Sequence, residues 1–425
     1  MLEFKNILQK NKFPIGVYCG PQVDNGKSTV NERYMRLLKD CDIGFVVRGE
    51  DYTTEEGKRL VALYNEYGIG YFVEDSRVKN LDLSEPDCAE KMRAYIKEYE
   101  NEPCYLGPYF ADEPNMQELK RYAKLYEIFQ SINGLNAYPY INLLPSNGDG
   151  MLDANDSACT FEKYIQAYIE GCGFPFLSYD HYMLGTGLNM RGMVLENEYL
   201  NDLNTASATA KKYKIPFWGF IACGGQWQSP VLAKEYYPNE RQFMLSVHLT
   251  LAFGAKGLQY FPFLQPSFFY GAAKSYKVNG MIGYNGVPNK WYYYAQKVNA
   301  FIRKYEAFFC NAEHKGVFLC GGSALPTTKG GVVLEGKKYG IVSFIEGSHA
   351  VVGVFERNGK EEAYYIVNNS YEQNGEVNIR FDDAYDFSLI SMDEEREILP
   401  SERMENGKCV MLSLKPAQAY ILWKK

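Results

Sequence analysis

Short apolar runs alternate with amphipathic stretches through the first three hundred residues. The runs fall at 15–18, 43–47, 70–73, 104–110, 137–141, 176–179, 217–221 and 257–261. Between them, residues 115–132, 160–170, 199–213 and 240–253 place their apolar positions at helical spacing. Runs too short for helices, each followed by a helical segment, predict a parallel sheet with crossover helices. Eight such units within about 260 residues match the size of a (β/α)8 TIM barrel. An open doubly wound sheet is the rival, and it would carry a glycine-rich nucleotide loop after its first strand. Here Asn25-Gly26-Lys27-Ser28 echoes a phosphate-binding loop but lacks the first glycine at the required spacing. The barrel is the expected fold.

Helical patterning ends near 291–309, and the period then changes. Alternating strands separated by turns follow at 316–319, 339–344, 350–356, 362–367, 377–381, 410–414 and 419–423. Strands repeating at this interval predict a β-sandwich. The expected organisation is a catalytic barrel over 1–312 and an all-β sandwich domain over 313–425. The second part holds no carboxylate cluster and no metal-ligand spacing, so a structural or accessory role is expected for it.

Composition narrows the function more by exclusion. The 425 residues are 46% hydrophobic and 23% charged, ordinary values for a soluble globular protein. A net charge of -7 without any Lys/Arg-rich block argues against a nucleic-acid or anionic-membrane partner. No apolar run reaches the length of a membrane span. The first residues, Met1 to Asn6, lack the apolar stretch of a signal peptide. Ten scattered cysteines without CxxC pairs fit reduced thiols in a bacterial cytoplasm better than a disulfide framework or a zinc site. Four histidines without HxH or HExxH spacing give no metal site, and no organic cofactor is expected. The 36 tyrosines suit surfaces that grip polar, stackable ligands such as sugars, although most can simply replace Phe at half-buried positions.

In a TIM barrel the chemistry sits just after each strand. Those positions hold Glu74, Asp75 and Arg77 after the third run, and Asp112 and Glu113 after the fourth. Asn142 follows the fifth, Asp180 and His181 the sixth, and Cys223, Gln226 and Trp227 the seventh. The result is a carboxylate-rich, aromatic-walled mouth. Glycoside cleavage needs such carboxylates, one to protonate a poor leaving group and another to stabilise or attack the anomeric carbon. Asp112 beside Glu113 would help Glu113 keep its proton by like-charge repulsion. The same Asp-Glu-Pro segment is also a good helix start, with Asp as cap and Glu and Pro in the first turn.

The segment Tyr109-Phe-Ala-Asp-Glu-Pro-Asn115 resembles the Asn-Glu-Pro acid/base motif of the retaining barrel glycosidases that include families 5 and 42. The remainder is similar to glycoside-hydrolase-like barrel proteins, many from gut bacteria. The shared segments are Tyr140-Ile-Asn-Leu-Leu-Pro145, Leu177-Ser-Tyr-Asp-His-Tyr182, Ile215-Pro-Phe-Trp-Gly-Phe220 and the run from Leu251 to Phe261. The likeness covers most of 100–300 and implies an O-glycosyl hydrolase with Glu113 as acid/base.

Two positions depart from the clan. Its nucleophilic Glu ends the seventh strand, where this chain reads Phe220-Ile-Ala-Cys-Gly-Gly-Gln226, and Asp112 replaces its Asn. Asp180 is the preferred substitute for the second carboxylate. The adjacent Asp112-Glu113 pair also resembles family 20 hexosaminidases, and Tyr179-Asp180 resembles the Tyr-Asp of family 18 chitinases. That likeness implies catalysis in which the substrate's own 2-acetamido group attacks. A Cys223 thiolate is the remaining candidate, with nothing basic beside it to lower its pKa. Asp75, Asn142, Tyr179, His181, Tyr182, Trp218, Gln226 and Trp227 are candidate substrate contacts. Trp218 also fits the core, and Asp75 also fits a local ion pair. The expected partner is an oligosaccharide, with oligomeric state open. A non-catalytic carbohydrate-binding protein on a degenerate barrel is the alternative from another class.

Overall fold

Eight parallel strands ring one axis in the computed structural model, which describes residues 12–24, 26–132, 137–148, 159–183, 192–224, 226–227, 235–236, 238–264, 280–283, 286–321, 330–359, 361–399 and 402–425. They are β1 Ile15–Tyr18, β2 Phe45–Val47, β3 Gly70–Val73, β4 Tyr105–Asp112, β5 Tyr140–Asn142, β6 Leu177–Tyr179, β7 Phe217–Ala222 and β8 Leu258–Phe261. Their order in the sheet is β5-β4-β3-β2-β1-β8-β7-β6. Leu143 and Tyr179 bridge the two ends, with Leu143 N donating to Ser178 O and Asp180 N to Leu143 O. The barrel is therefore closed, and all eight expected strands are in it.

The barrel strands run from three to eight residues. Each is buried nearly throughout, the pattern of parallel strands covered on both faces. Helices α1 Glu32–Asp40, α2 Glu55–Tyr67, α5 Met116–Ser131 and α6 Phe161–Cys172 follow their strands, each opened by an Asn or Thr cap. The short helices α3 Ser76–Lys79 and α4 Cys88–Ile96 share the β3–β4 crossover.

Aromatic side chains fill the barrel interior. Trp218 stacks on Phe176 with centroids 4.4 Å apart and lies 5.2 Å from Phe45. Gly16 and Gly257 make room for this layer. A Cβ on Gly16 would come within 2.3 Å of the Phe45 ring, and one on Gly257 within 2.6 Å of Trp218. Trp218, expected among the sugar contacts, is thus a core residue, 1% exposed.

The chain divides into two compact units. The first comprises Met1–His181, Thr209–Gly225 and Gly257–Ala300, and it holds the whole barrel sheet. The second comprises Tyr182–Ala208, Gln226–Lys256 and Phe301–Lys425. It contains the C-terminal β-sandwich, a six-stranded and a four-stranded antiparallel sheet enclosing Phe318, Val352, Ile366, Ile379, Leu412 and Leu422. The helix Glu240–Ala252 belongs to this unit and packs on the strands Ala350–Arg357 and Glu361–Asn368. Its residues 242–252 are all buried, as its lack of a polar face requires.

Candidate active site

The decisive local feature is where α5 begins. Its cap is Asn115, whose Oδ1 accepts from Gln117 N and Glu118 N while the Glu118 carboxylate accepts from Asn115 N. The cap expected at Asp112 therefore lies three residues further on. Asp112 is the last residue of β4, and neither it nor Glu113 is needed to start the helix.

Glu113 has φ +50°, a left-handed conformation that costs a non-glycine residue roughly 1–2 kcal/mol. Its N–H donates to Asn142 O at 2.9 Å, which ties the strained turn to the end of β5. Cys19 and Arg48, directly after β1 and β2, share that conformation with φ of 62° and 59°. Strain of this kind concentrates where a fold positions functional groups.

Glu113 and Asp180 are hydrogen-bonded to one another, and Asp112 lies close enough to act on both. Burial and the Asp112 charge push the Glu113 carboxyl up to about 7, against a smaller opposing effect of the Asp180 hydrogen bond. Burial, then Glu113 and Asp112, raise Asp180 well above the usual carboxylate range. Two carboxyls in contact cannot both ionise without a large repulsion, so the pair retains a proton near neutrality.

Asn142 stands between them. Its Nδ2 donates to Asp180 Oδ1 at 2.8 Å and to Asp112 Oδ1 at 3.3 Å. Behind it, Ser178 Oγ donates to Asn142 Oδ1 at 3.4 Å. Gln259 Nε2 in turn donates to Ser178 Oγ at 2.9 Å, and Tyr140 Oη donates to Gln259 Oε1 at 2.8 Å. Ser178, Tyr140 and Gln259 are completely buried, so their polar atoms must satisfy one another.

On the opposite side, Arg48 Nη1 lies 3.4 Å from Asp112 Oδ2. Lys79 Nζ lies 3.9 Å from Glu74 and 5.2 Å from the centre of the Tyr109 ring, and Tyr109 Oη is 2.8 Å from Tyr18 Oη. Burial raises Glu74, with Arg48 and Lys79 opposing.

The other expected site residues are placed as follows. Asp75 is committed to structure: it caps α3, pairs with Arg77 at 2.8 Å and accepts from Tyr99 Oη at 3.3 Å. Its neighbour Glu74 is the one that faces Arg48. Tyr179 is buried in the wall with its ring 5.4 Å from Phe161. His181 is buried next to Asp180. Tyr182 falls in the second unit and is half-buried. Gln226 and Trp227 form a two-residue strand paired with Glu235–Tyr236, and their side chains lie outside the described residues. Cys223 is fully buried, and that burial raises its thiol well above the ordinary value, which removes the thiolate candidate. Among the described residues no group of three or more His, Cys, Asp or Glu is arranged to hold a metal ion, and no helix is long and apolar enough to cross a membrane.

Arg48, Ser178 and Gln259 were missed. Arg48 was within reach, since it follows the second strand directly. Ser178 and Gln259 lie inside strands, where the alternation of faces decides whether a polar residue points into the barrel.

No family model matches the chain, and no curated protein matches it in sequence. Among solved structures it is similar to Gan42B, a GH42 beta-galactosidase from G. stearothermophilus, and to a catalytic mutant of that enzyme. Each superposes with a TM-score of 0.61 at 8% identity over 100% of both chains. A beta-galactosidase from the psychrophilic Marinomonas ef1 has a TM-score of 0.48 at 10% identity, covering 73% of this chain and 63% of that one. With Gan42B, at 8% identity, the shared property is the fold, a TIM barrel followed by a β-sandwich. The likeness to family 42 first seen at Tyr109–Asn115 recurs at that level.

Proposed function

We propose that this chain is a glycoside hydrolase that cleaves the O-glycosidic bond of a neutral or N-acetylated oligosaccharide at the C-terminal mouth of its barrel. The observation that carries the reading is the gathering of Asp112, Glu113 and Asp180 at the ends of β4 and β6 around Asn142, which donates to Asp180 at 2.8 Å and to Asp112 at 3.3 Å. In this reading the barrel of 1–312 is the catalytic part and the sandwich of 313–425 an accessory one.

Glu113, kept neutral by burial and Asp112, donates its proton to the glycosidic oxygen as the C–O bond breaks toward that oxygen. With the pair's shared proton given up, Asp180 faces, as carboxylate, the positive charge that develops at the anomeric carbon. A water then adds there and gives its proton to a carboxylate, which restores the pair. Asn142 and the exposed lip residue Asp112 supply polar contacts for sugar hydroxyls.

A second reading is substrate-assisted cleavage of a 2-acetamido sugar as in families 18 and 20, which needs no protein nucleophile. The described residues closing β7, Ala222, Cys223 and Gly224, supply no carboxylate, which is consistent with it.

A panel of aryl glycosides, with and without a 2-acetamido group, tests the proposal. Cleavage of at least one by the wild type and its loss in Glu113→Gln support it. A panel left untouched, with sugar binding retained, would instead identify a non-catalytic carbohydrate-binding protein.

A further inference from the structure

Two charged side chains at the barrel mouth have no part in the chemistry above. Glu74 directly follows β3, and Lys79 closes α3, the short helix behind it. Only 18% of the Glu74 side chain is exposed, yet among the described residues its carboxylate accepts no hydrogen bond. Its partner is Lys79 Nζ at 3.9 Å, within reach of charge but beyond that of a hydrogen bond. Lys79 likewise donates no side-chain hydrogen bond among the described residues. A largely buried carboxylate without a donor is costly to hold, so its bond must come from outside the chain.

Lys79 also leans inward. A third of its side chain is exposed, and its ammonium lies over the ring of Tyr109, 5.2 Å from the ring centre and three residues before Asp112 on β4. The neighbouring pair behaves differently. Arg48 and Asp112 stand 3.4 Å apart and already share a hydrogen bond. The Glu74–Lys79 gap is wider by half an ångström, and its donors and acceptors are still to be used.

The surrounding charges say what can fill that gap. Burial lifts the Glu74 carboxyl, Arg48 and Lys79 hold it down, and Asp51 and Asp112 add to the rise. With three carboxyl groups close by, a further anion would meet repulsion. A hydroxyl fits, because its oxygen accepts while its hydrogen donates. An oxygen about 2.8 Å from each partner can sit beside a 3.9 Å gap.

We propose that Glu74 and Lys79 are a specificity pair for one sugar hydroxyl, whose oxygen accepts from Lys79 Nζ and whose hydrogen goes to the Glu74 carboxylate. The pair selects a neutral sugar over a uronic acid, and a hydroxylated ring position over a deoxy one. Such recognition is strong because both protein partners are charged, and an analogue without the hydroxyl leaves them unbonded again. The inference rests on the reading that this mouth takes a sugar, but not on the acid role of Glu113.

Titration calorimetry with phenyl 1-thioglycosides, which resist cleavage, tests it by binding alone. The panel holds the glucoside, galactoside, mannoside, N-acetylglucosaminide and glucuronide, followed by the monodeoxy forms of the tightest binder. In the wild type, one deoxy position should weaken binding by ~10–100-fold. Lys79→Met and Glu74→Gln should each weaken the parent sugar and lose that deoxy penalty, so that the double-mutant cycle closes on one hydroxyl. Lys79 is partly exposed, so its variant keeps the test open if Glu74→Gln does not fold. A panel in which nothing binds, one in which the glucuronide binds tightest, or variants that keep the full deoxy penalty would overturn the proposal. The expected cycle in a protein that cleaves no glycoside upholds it and sinks the hydrolase reading. Cleavage that depends on Glu113, with the deoxy penalties untouched in Lys79→Met, does the reverse.

Discussion

Asn142 donates to Asp180 at 2.8 Å from the strand between those that carry Asp180 and Glu113, and the two carboxyls lie close enough to act on one another. Their proximity makes the mouth of this barrel an acid-holding site near neutrality.

The first consequence is a pH limit on turnover. Glu113 must be protonated to act as acid, and its carboxyl is pushed up to about 7. Activity should therefore fall tenfold per unit as pH rises above about 7, measured as kcat/KM across a pH series. A profile that falls already near pH 4.5 would mean that Glu113 titrates like an ordinary glutamate.

Stability should follow the same group with a definite sign. Its folded pKa is raised above the unfolded one, so the folded state binds more protons between the ordinary Glu value and about 7. The contribution is fully present below that window and is lost as pH rises through it. Melting temperatures of the wild type should thus drop relative to Glu113→Gln between about pH 4.3 and 7. Parallel curves would contradict the shift.

Asp75 offers a contrast one residue from Glu74. It is buried, pairs with Arg77 and caps α3, so Asp75→Ala should destabilise by about 3 kcal/mol, the lower end for a broken ion pair because Arg77 stays partly exposed. Urea unfolding checks this, and turnover by the folded protein should be unchanged.

Trp218 behaves likewise from the other side of the barrel. Stacked on Phe176 and 1% exposed, it fills a layer that no smaller side chain can fill. Trp218→Ala should lose about 3–5 kcal/mol in denaturant unfolding, with KM of the folded fraction unaltered.

The barrel was legible because period carries it. Eight apolar runs, each followed by helical spacing, leave few topologies, and all eight strands lie where the runs lie. The sandwich was readable for the same reason, although the short strands Phe387–Ile390 and Glu395–Glu397 went unseen among charged residues. The strand-end rule points at Glu113, Asp112, Asp180 and Asn142, and the structure brings these four together. Trp218 and Asp75 were misplaced by that rule. It counts residues along the chain, whereas the side chain's face and its nearest partner decide whether it meets a ligand. Left-handed φ at Glu113, Arg48 and Cys19 has no signature in residue type, and the Asn115 cap was hidden by an equally plausible one at Asp112. The Gln259–Ser178–Asn142 chain joins three strands far apart in sequence, which no local pattern reports.

The acid role of Glu113 is tested most directly by leaving-group dependence in Glu113→Gln. On a glycoside whose alkyl or weakly acidic phenol must be protonated to leave, the variant should lose about 10²–10⁴-fold in kcat/KM. On one whose strongly acidic phenol departs unaided, the loss should be far smaller. Equal losses on both substrates, or no loss on either, would mean that Glu113 is not the proton donor.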